Sequence, residues 1–85
     1  MTFQSRVADI RLESRVGLTG TWLMSLDASE FLPGDTGSLA ATTRSGTRLE
    51  IAVSEVVRDA DGVLWHTTEK PLAAGTDVTG HVYGR

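Results

Sequence analysis

The stretch TRLEIAVSEVVRDADGVLWHTTE, residues 47–69, decides the predicted fold. In its first arm apolar residues alternate with polar or small ones, which is the period of a strand with one buried face. The tetrapeptide DADG at residues 59–62 then supplies turn chemistry, with Gly62 free to adopt a positive φ. The alternation resumes through Trp65 on the way back. The stretch therefore predicts a long β-hairpin with Trp65 as its largest apolar anchor.

This hairpin also predicts part of the core. The side chains expected there are Trp65, Trp22, Ile51 and Val53. Because successive residues of a strand face opposite sides, an inward Trp65 places His66 outside as a solvated strand histidine. After Val53 the alternation loses its phase, so a bulge is predicted near Ser54-Glu55.

The same alternation predicts strands on both sides of the hairpin. They cover residues 8–18, 21–26, 39–43 and 77–83. A helical stripe through Phe3, Val7, Ile10 and Ser14 is the alternative for the first of them, and it matches fewer positions. Strands 21–26 and 63–68 carry apolar residues on both faces, so both of their faces need cover.

Turn signals separate these strands at short intervals. They are Gly17 with Gly20, Pro33-Gly34, Ser45-Gly46 and Ala73-Ala74-Gly75. Asp27 and Glu30 have the spacing of a capping box, which permits a single helical turn. The predicted fold is all-β: one small domain over residues 1–85, a barrel or sandwich of six to seven mostly antiparallel strands.

Composition excludes several classes of protein. The chain has 85 residues, no cysteine and a net charge of −3. Disulfide frameworks and cysteine zinc sites are therefore impossible. No apolar run reaches the roughly 18 residues of a membrane span, and the first residues lack the apolar core of a signal peptide. We expect a soluble protein with no membrane partner; the compartment stays open.

Nucleic-acid binding is not expected. Oligonucleotide-binding barrels stack bases on exposed aromatic side chains within a basic groove. This chain has five aromatic residues, of which two are assigned to the core, and its net charge is negative.

One string is similar to a catalytic motif. Residues 35–38 read Asp-Thr-Gly-Ser, as in aspartic proteases, and retroviral-type proteases are β-rich homodimers of similar chain length. That resemblance implies one carboxylate, Asp35, from each subunit of a dyad. In the family, however, the Asp follows an apolar strand, whereas Asp35 follows the Pro33-Gly34 turn. We interpret the string as a turn and keep the protease as a distant alternative.

No other catalytic, metal or cofactor site is predicted. His66 and His81 are the two histidines, and neither stands in a zinc-binding spacing with Glu69 or Asp77 as further ligands. The chain has no nucleophile elbow and no glycine-rich phosphate loop. The sequence therefore predicts a protein that is not an enzyme and needs no cofactor.

Two resemblances bear on function. The phrases at 61–65 (DGVLW) and 71–78 (PLAAGTDV) resemble small β-barrel virion proteins of tailed phages, of the connector, tail or decoration type. Residues 17–21 (GLTGT) with the same two regions also resemble the oligonucleotide-barrel-like domain of NfeD proteins, although the insertion at 28–37 departs from that pattern. The first resemblance implies ring or lattice contacts, and the second implies binding to a protein.

These observations lead to one expected function. Apolar residues on both faces of a strand mark interfaces in small domains, and sheet edges invite pairing between subunits. We expect a non-enzymatic structural protein that acts through self-assembly or a larger complex, with a phage virion component as the specific form. A soluble barrel adaptor that binds a protein partner is the alternative.

Overall fold

Seven antiparallel strands form one sheet in the computed structural model, which describes residues 1–16, 19–42 and 45–83. The strands are β1 (Thr2–Val16), β2 (Thr19–Leu26), β3 (Gly37–Thr42), β4 (Arg48–Val53), β5 (Glu55–Arg58), β6 (Leu64–Thr68) and β7 (Asp77–Val82). Their order across the sheet is β4-β3-β7-β1-β2-β6-β5. The all-β prediction is confirmed. No helix in the described residues is long and apolar enough to cross a bilayer.

The sheet has two halves, β4-β3-β7-β1 and β1-β2-β6-β5, and it folds over on itself because two segments of the chain contribute to both. The first part of β1 pairs with β7, and the remainder pairs with β2. Likewise, β4 pairs with β3 and β5 with β6, although only Ser54 separates them. The two ends of the sheet thus meet at Ser54, whose N–H donates to the carbonyl oxygen of Thr67 at 3.0 Å. The sheet is not closed, but the domain has the layout of a small barrel or sandwich.

The predicted long hairpin is therefore correct only near its turn. Gly62 has a φ of +82°, and its N–H donates to the carbonyl of Asp59 at 3.1 Å. The upstream arm does not continue as one partner of β6. It breaks at Ser54, where the sequence loses its phase, and β4 turns away to pair with β3. The predicted bulge is thus the point where the chain passes from one half of the sheet to the other.

A second change of phase lies in β1, which begins well before the predicted residue 8. The pairing with β2 shifts register between Val7 and Asp9, so Ala8 is an extra residue. Phe3 and Val7, at odd positions, face the core before the shift, and Ile10, at an even position, faces it afterwards. The bulge explains why this stretch also matches a helical stripe: its apolar residues follow two strand phases in turn.

The core lies between the two halves of the sheet. Its buried members are Val7, Met24, Phe31, Leu39, Ala41, Ile51, Val53, Val56, Leu72, Val78 and Val82. Ile51 and Val53 confirm the prediction for β4. Trp22 is only half-buried and lies outside this cluster.

Trp65 and His66 occupy the opposite faces from those predicted. His66 pairs with Met24 on β2 and with Val56 on β5, and both of those side chains lie in the core. Partners across a strand pair share a face, so His66 points inward and is fully buried. Trp65 is also buried, at 4% exposure, but on the outer face of β6. The prediction of a solvated His66 is wrong.

Three turn predictions have different outcomes. Gly34 has a φ of +90° behind Pro33, and the N–H of Asp35 donates to the carbonyl of Leu32 at 2.9 Å, which confirms a type II turn. The β3–β4 hairpin exists, with Thr42 paired to Arg48, and the predicted two-residue loop adjoins residues 43–44, which lie outside the described residues. The predicted turn at Gly17 and Gly20 falls partly outside the described residues.

The single helical turn that the spacing of Asp27 and Glu30 permits does not form. The N–H of Ala28 donates instead to the hydroxyl of Ser5 at 3.1 Å, and the N–H of Asp27 donates to the carbonyl of Arg6 at 2.9 Å. These bonds hold the start of the loop against β1, so its N–H groups are already satisfied outside a helix.

Candidate interaction surface

The two edges of the sheet are treated differently, and the first of them, β5, is covered. The N–H of Gly34 donates to the carbonyl of Val56 at 2.9 Å, so the turn at 32–35 contacts the outward side of β5 at Val56. The carboxylate of Asp35 accepts the N–H of Leu32 at 2.7 Å and holds this turn closed. Covering an edge in this way blunts its capacity to pair with another chain.

The second edge, β4, is open. The N–H of Tyr83 donates to the carbonyl of Thr36, so even-numbered residues of β3 face β7 and odd-numbered ones face β4. The odd-numbered residues of β3 pair with odd-numbered residues of β4, so those residues of β4 direct their backbone groups towards β3. Arg48, Glu50 and Ala52 therefore direct their N–H and C=O groups away from β3. In the part of the chain that the structure describes, no strand pairs with this side of β4.

A cleft of about 300 Å³ runs beside the open edge. It is lined by Glu50, Ile51, Ala52, Ser54, Glu69 and Lys70. The cleft lies where β4 has parted from β6, beyond the bond between Ser54 and Thr67. Glu69 and Lys70 line the side of the cleft opposite β4, and their side chains carry opposite charges.

An apolar side chain stands next to this edge. Leu49 shares the inward phase of Ile51 and Val53, yet it is 44% exposed. The other large apolar residues of comparable exposure are Met1, Leu12, Leu32, Val57, Val63 and Tyr83. Leu49 lies on the edge strand β4, and Leu12 lies on the part of β1 that pairs with β2 alone.

His66 is held in a chain of hydrogen bonds. Its Nδ1 lies 2.8 Å from the carbonyl oxygen of Met24, which can only accept, so Nδ1 carries the proton. Nε2 therefore accepts from the hydroxyl of Ser29 at 2.8 Å, and that hydroxyl accepts the N–H of Phe31 at 3.1 Å. The Ser29–His66 pair joins the 27–36 loop to the sheet.

Ser29 and His66 are in hydrogen-bond contact, as a catalytic nucleophile and its general base would be, but the described residues around them lack the other features of such a catalytic site. A carbonyl, that of Met24, takes the place of a carboxylate as the third group. The imidazole is fully buried, and the clefts beside β1, β4 and β7 are lined by other residues. We interpret the pair as a structural element.

Burial of His66 predicts a loss of stability in acid. Burial lowers the pKa of His66, against a smaller opposing effect of its bond to Met24. As the pH falls below about 6.5, the ordinary pKa of histidine, His66 becomes protonated in the unfolded chain but stays neutral in the folded domain. The free energy of unfolding should fall by up to about 1.4 kcal/mol per pH unit, until the lowered pKa is reached. Urea denaturation between about pH 7.5 and about pH 5.5 measures this.

The matched control for that prediction is His66→Gln, which has no titrating ring at this position. The variant should be less stable near neutral pH, and its stability should change less between the two pH values. An equal change in both proteins would contradict the assignment of the pH dependence to His66.

Trp65 is held on the outer face by charged neighbours. Its Nε1 donates to the carboxylate of Asp59 at 2.8 Å, and the guanidinium carbon of Arg11 lies 4.3 Å from its ring centroid. The hydrogen bond from Trp65, with further bonds from the N–H groups of Val63 and Asp61, lowers the pKa of Asp59. These contacts fix the hairpin turn to the face of the sheet.

The remaining predicted candidates are not brought together. Asp77 forms an ion pair with Arg6 at 3.0 Å, and His81 packs edge-on against Tyr83 with ring centroids 5.2 Å apart. Glu69 borders the β4 cleft. Among the described residues, no group of three or more histidine and carboxylate side chains is placed to hold a metal ion.

Comparisons of the chain with protein-family models, characterised proteins and solved structures find no match. Function is therefore inferred from the geometry of the domain.

Sequence reasoning missed the most important feature of the surface. Leu49, Ile51 and Val53 alternate in the same way in an edge strand and in a central one, so periodicity does not reveal the open side of β4. Two features of the sequence indicated the edge. Arg48 and Glu50 are charged residues within the strand, and the alternation loses its phase after Val53. Such a loss of phase marks a point where a strand can separate from its neighbour and leave an unpaired edge.

Proposed function

We propose that this protein is a non-enzymatic assembly component that acts through protein–protein contacts at the open edge of β4. The observation that carries the proposal is the contrast between the two ends of the sheet. The turn at 32–35 bonds to β5, whereas no strand in the described residues pairs with the outward N–H and C=O groups of Arg48, Glu50 and Ala52.

Strand addition is the contact that such an edge supports. Main-chain hydrogen bonds supply affinity, and the side chains beside the edge supply specificity. Leu49 adds an exposed apolar surface, and the cleft beyond Ala52 adds room next to the strand. Natural β proteins generally protect such edges, so one left open next to an exposed leucine is consistent with a partner there.

The specific form that we propose is a virion component of a tailed phage, in which such domains form rings or lattices. Its basis is the likeness of residues 61–65 and 71–78 to that group. The second candidate is a soluble adaptor that binds an extended segment of another protein, and the observation that favours it is the cleft beside β4.

The molar mass in solution tests the proposal. Size-exclusion chromatography with light scattering, from low micromolar to near millimolar concentration, should show a mass that rises above that of one chain towards a defined oligomer. The mass of a single chain at every concentration would contradict self-assembly and leave the adaptor as the form to pursue.

A further inference from the structure

We propose that a second copy of this chain occupies the open edge of β4, so that the two β4 strands pair antiparallel about a two-fold axis at Leu49. This inference rests on the proposed assembly function and specifies its partner. The result is a sheet that continues from β3 and β4 of one copy into β4 and β3 of the other.

The register follows from which residues face the edge. Only Arg48, Glu50 and Ala52 direct backbone groups outward, so hydrogen-bonded pairs across the interface must be drawn from these three. A two-fold axis at Glu50 would set Glu50 against its own copy, and like charges in direct opposition are unfavourable. An axis at Ile51 would pair Glu50 with Ala52 and leave the charges without counterparts.

With the two-fold axis at Leu49, every charged residue of β4 lies opposite a residue of the other sign. This axis sets Arg48 opposite the second copy's Glu50, and by symmetry Glu50 opposite the second copy's Arg48. Both side chains are exposed on the outer face of β4. This is the one register of the three in which each charged residue meets its opposite.

The same axis accounts for the exposed leucine. Leu49 would oppose its own copy in the non-hydrogen-bonded position, where Cα atoms are about 4.5 Å apart and side chains are close. Leu49 is 44% exposed in the single chain, and its side chain would become buried against the Leu49 side chain of the second copy. The apolar contact thus falls at the centre of the interface and the charge pairs on either side of it.

The contact is short, so we expect a weak dimer. Two hydrogen-bonded pairs each exchange two main-chain bonds, and strand addition on this scale leaves a modest surplus over the cost of association. Because the charge pairs are exposed, raised salt should weaken the dimer further.

A charge swap tests the register. Arg48→Glu and Glu50→Arg should each raise the dimer dissociation constant by at least about tenfold, since symmetry applies the like-charge contact twice. The double variant, Arg48→Glu with Glu50→Arg, should return the constant to within about threefold of the parent. The matched control is Arg58→Glu on the covered strand β5, which makes the same change of charge and should leave the constant unaltered.

A cysteine reporter tests the position of the axis. The chain has no cysteine, so Leu49→Cys introduces a single thiol. The expected Cα separation is within the range that a disulfide bridges, so mild oxidation should link two chains. Val57→Cys, at a site of similar exposure (38%) on β5, is the control and should remain monomeric on a non-reducing gel.

The outcomes separate the two proposals. Loss of the dimer in both single variants, rescue in the double variant and cross-linking through residue 49 together support the β4 interface. An oligomer that none of these changes affects would overturn this inference while leaving the assembly function in place. A chain that stays monomeric, with no cross-link through residue 49, would overturn this inference and self-assembly together, and would leave the adaptor as the form to pursue.

Discussion

Replacing Phe31 by alanine should lower the free energy of unfolding by about 3–5 kcal/mol. The ring is fully buried, and it packs edge-on against Phe3 and His66, with centroid distances of 5.7 Å and 5.1 Å. Phe31 belongs to no strand, yet its side chain fills the space between the two halves of the sheet. Its removal leaves a cavity that rigid strands on both sides cannot close. Urea denaturation followed by tryptophan fluorescence measures the loss.

The control is the neighbouring residue. Leu32 is 51% exposed, so Leu32→Ala should change the free energy of unfolding by no more than about 0.5 kcal/mol. Similar losses in the two variants would show that the 27–36 loop does not insert Phe31 into the core. Because Phe31 also touches His66, the alanine variant should lose part of the acid sensitivity as well.

Phe31 was the core residue least accessible to sequence reasoning. The segment around it has no alternation, and its turn residues place it correctly outside the strands. Periodicity detects the side chains of regular elements, and this ring enters the core from an irregular one. The missed signal was a lone phenylalanine in a polar loop of a chain with five aromatic residues.

The strands themselves were predictable, because alternation and turn residues agreed along most of the chain. The pairing of strands was less so. Ala8 and Ser54 each reset the phase of a strand, and at Ser54 the chain changes partner as well. A change of phase can be read from a sequence, but the partner on the far side of it depends on the order of strands in the sheet.

The exchange of Trp65 and His66 shows the limit of judging burial by hydrophobicity. The larger apolar ring was assigned to the core, whereas Arg11 and Asp59 cover it on the outer face. The histidine goes inside because Met24 and Ser29 satisfy both of its nitrogens. Buried polar groups are stable when hydrogen-bonded, and the partners here come from distant parts of the chain.

The Asp-Thr-Gly string has a structural explanation at each position. The carboxylate of Asp35 closes the type II turn by accepting the N–H of Leu32. The carbonyl of Thr36 accepts the N–H of Tyr83 at 3.0 Å and so begins the pairing of β3 with β7. These contacts favour the interpretation of the string as a turn followed by a strand. Gly37 supplies the third part of that explanation.

Gly37→Ala should lower the free energy of unfolding by about 3 kcal/mol or more, at the upper end of overpacking effects. A Cβ atom at Gly37 would overlap the carbonyl oxygen of His81 and would lie 2.7 Å from Cε1 of Phe31. The first obstacle is backbone, so no rotamer change relieves it, and β3 would have to move away from β7. The control is Gly34→Ala, where the space is open and the cost comes only from the positive φ, about 1–2 kcal/mol. Thermal or urea denaturation of the two variants compares them, and equal losses would mean that the close approach of β3 to β7 at Gly37 is not what requires glycine there.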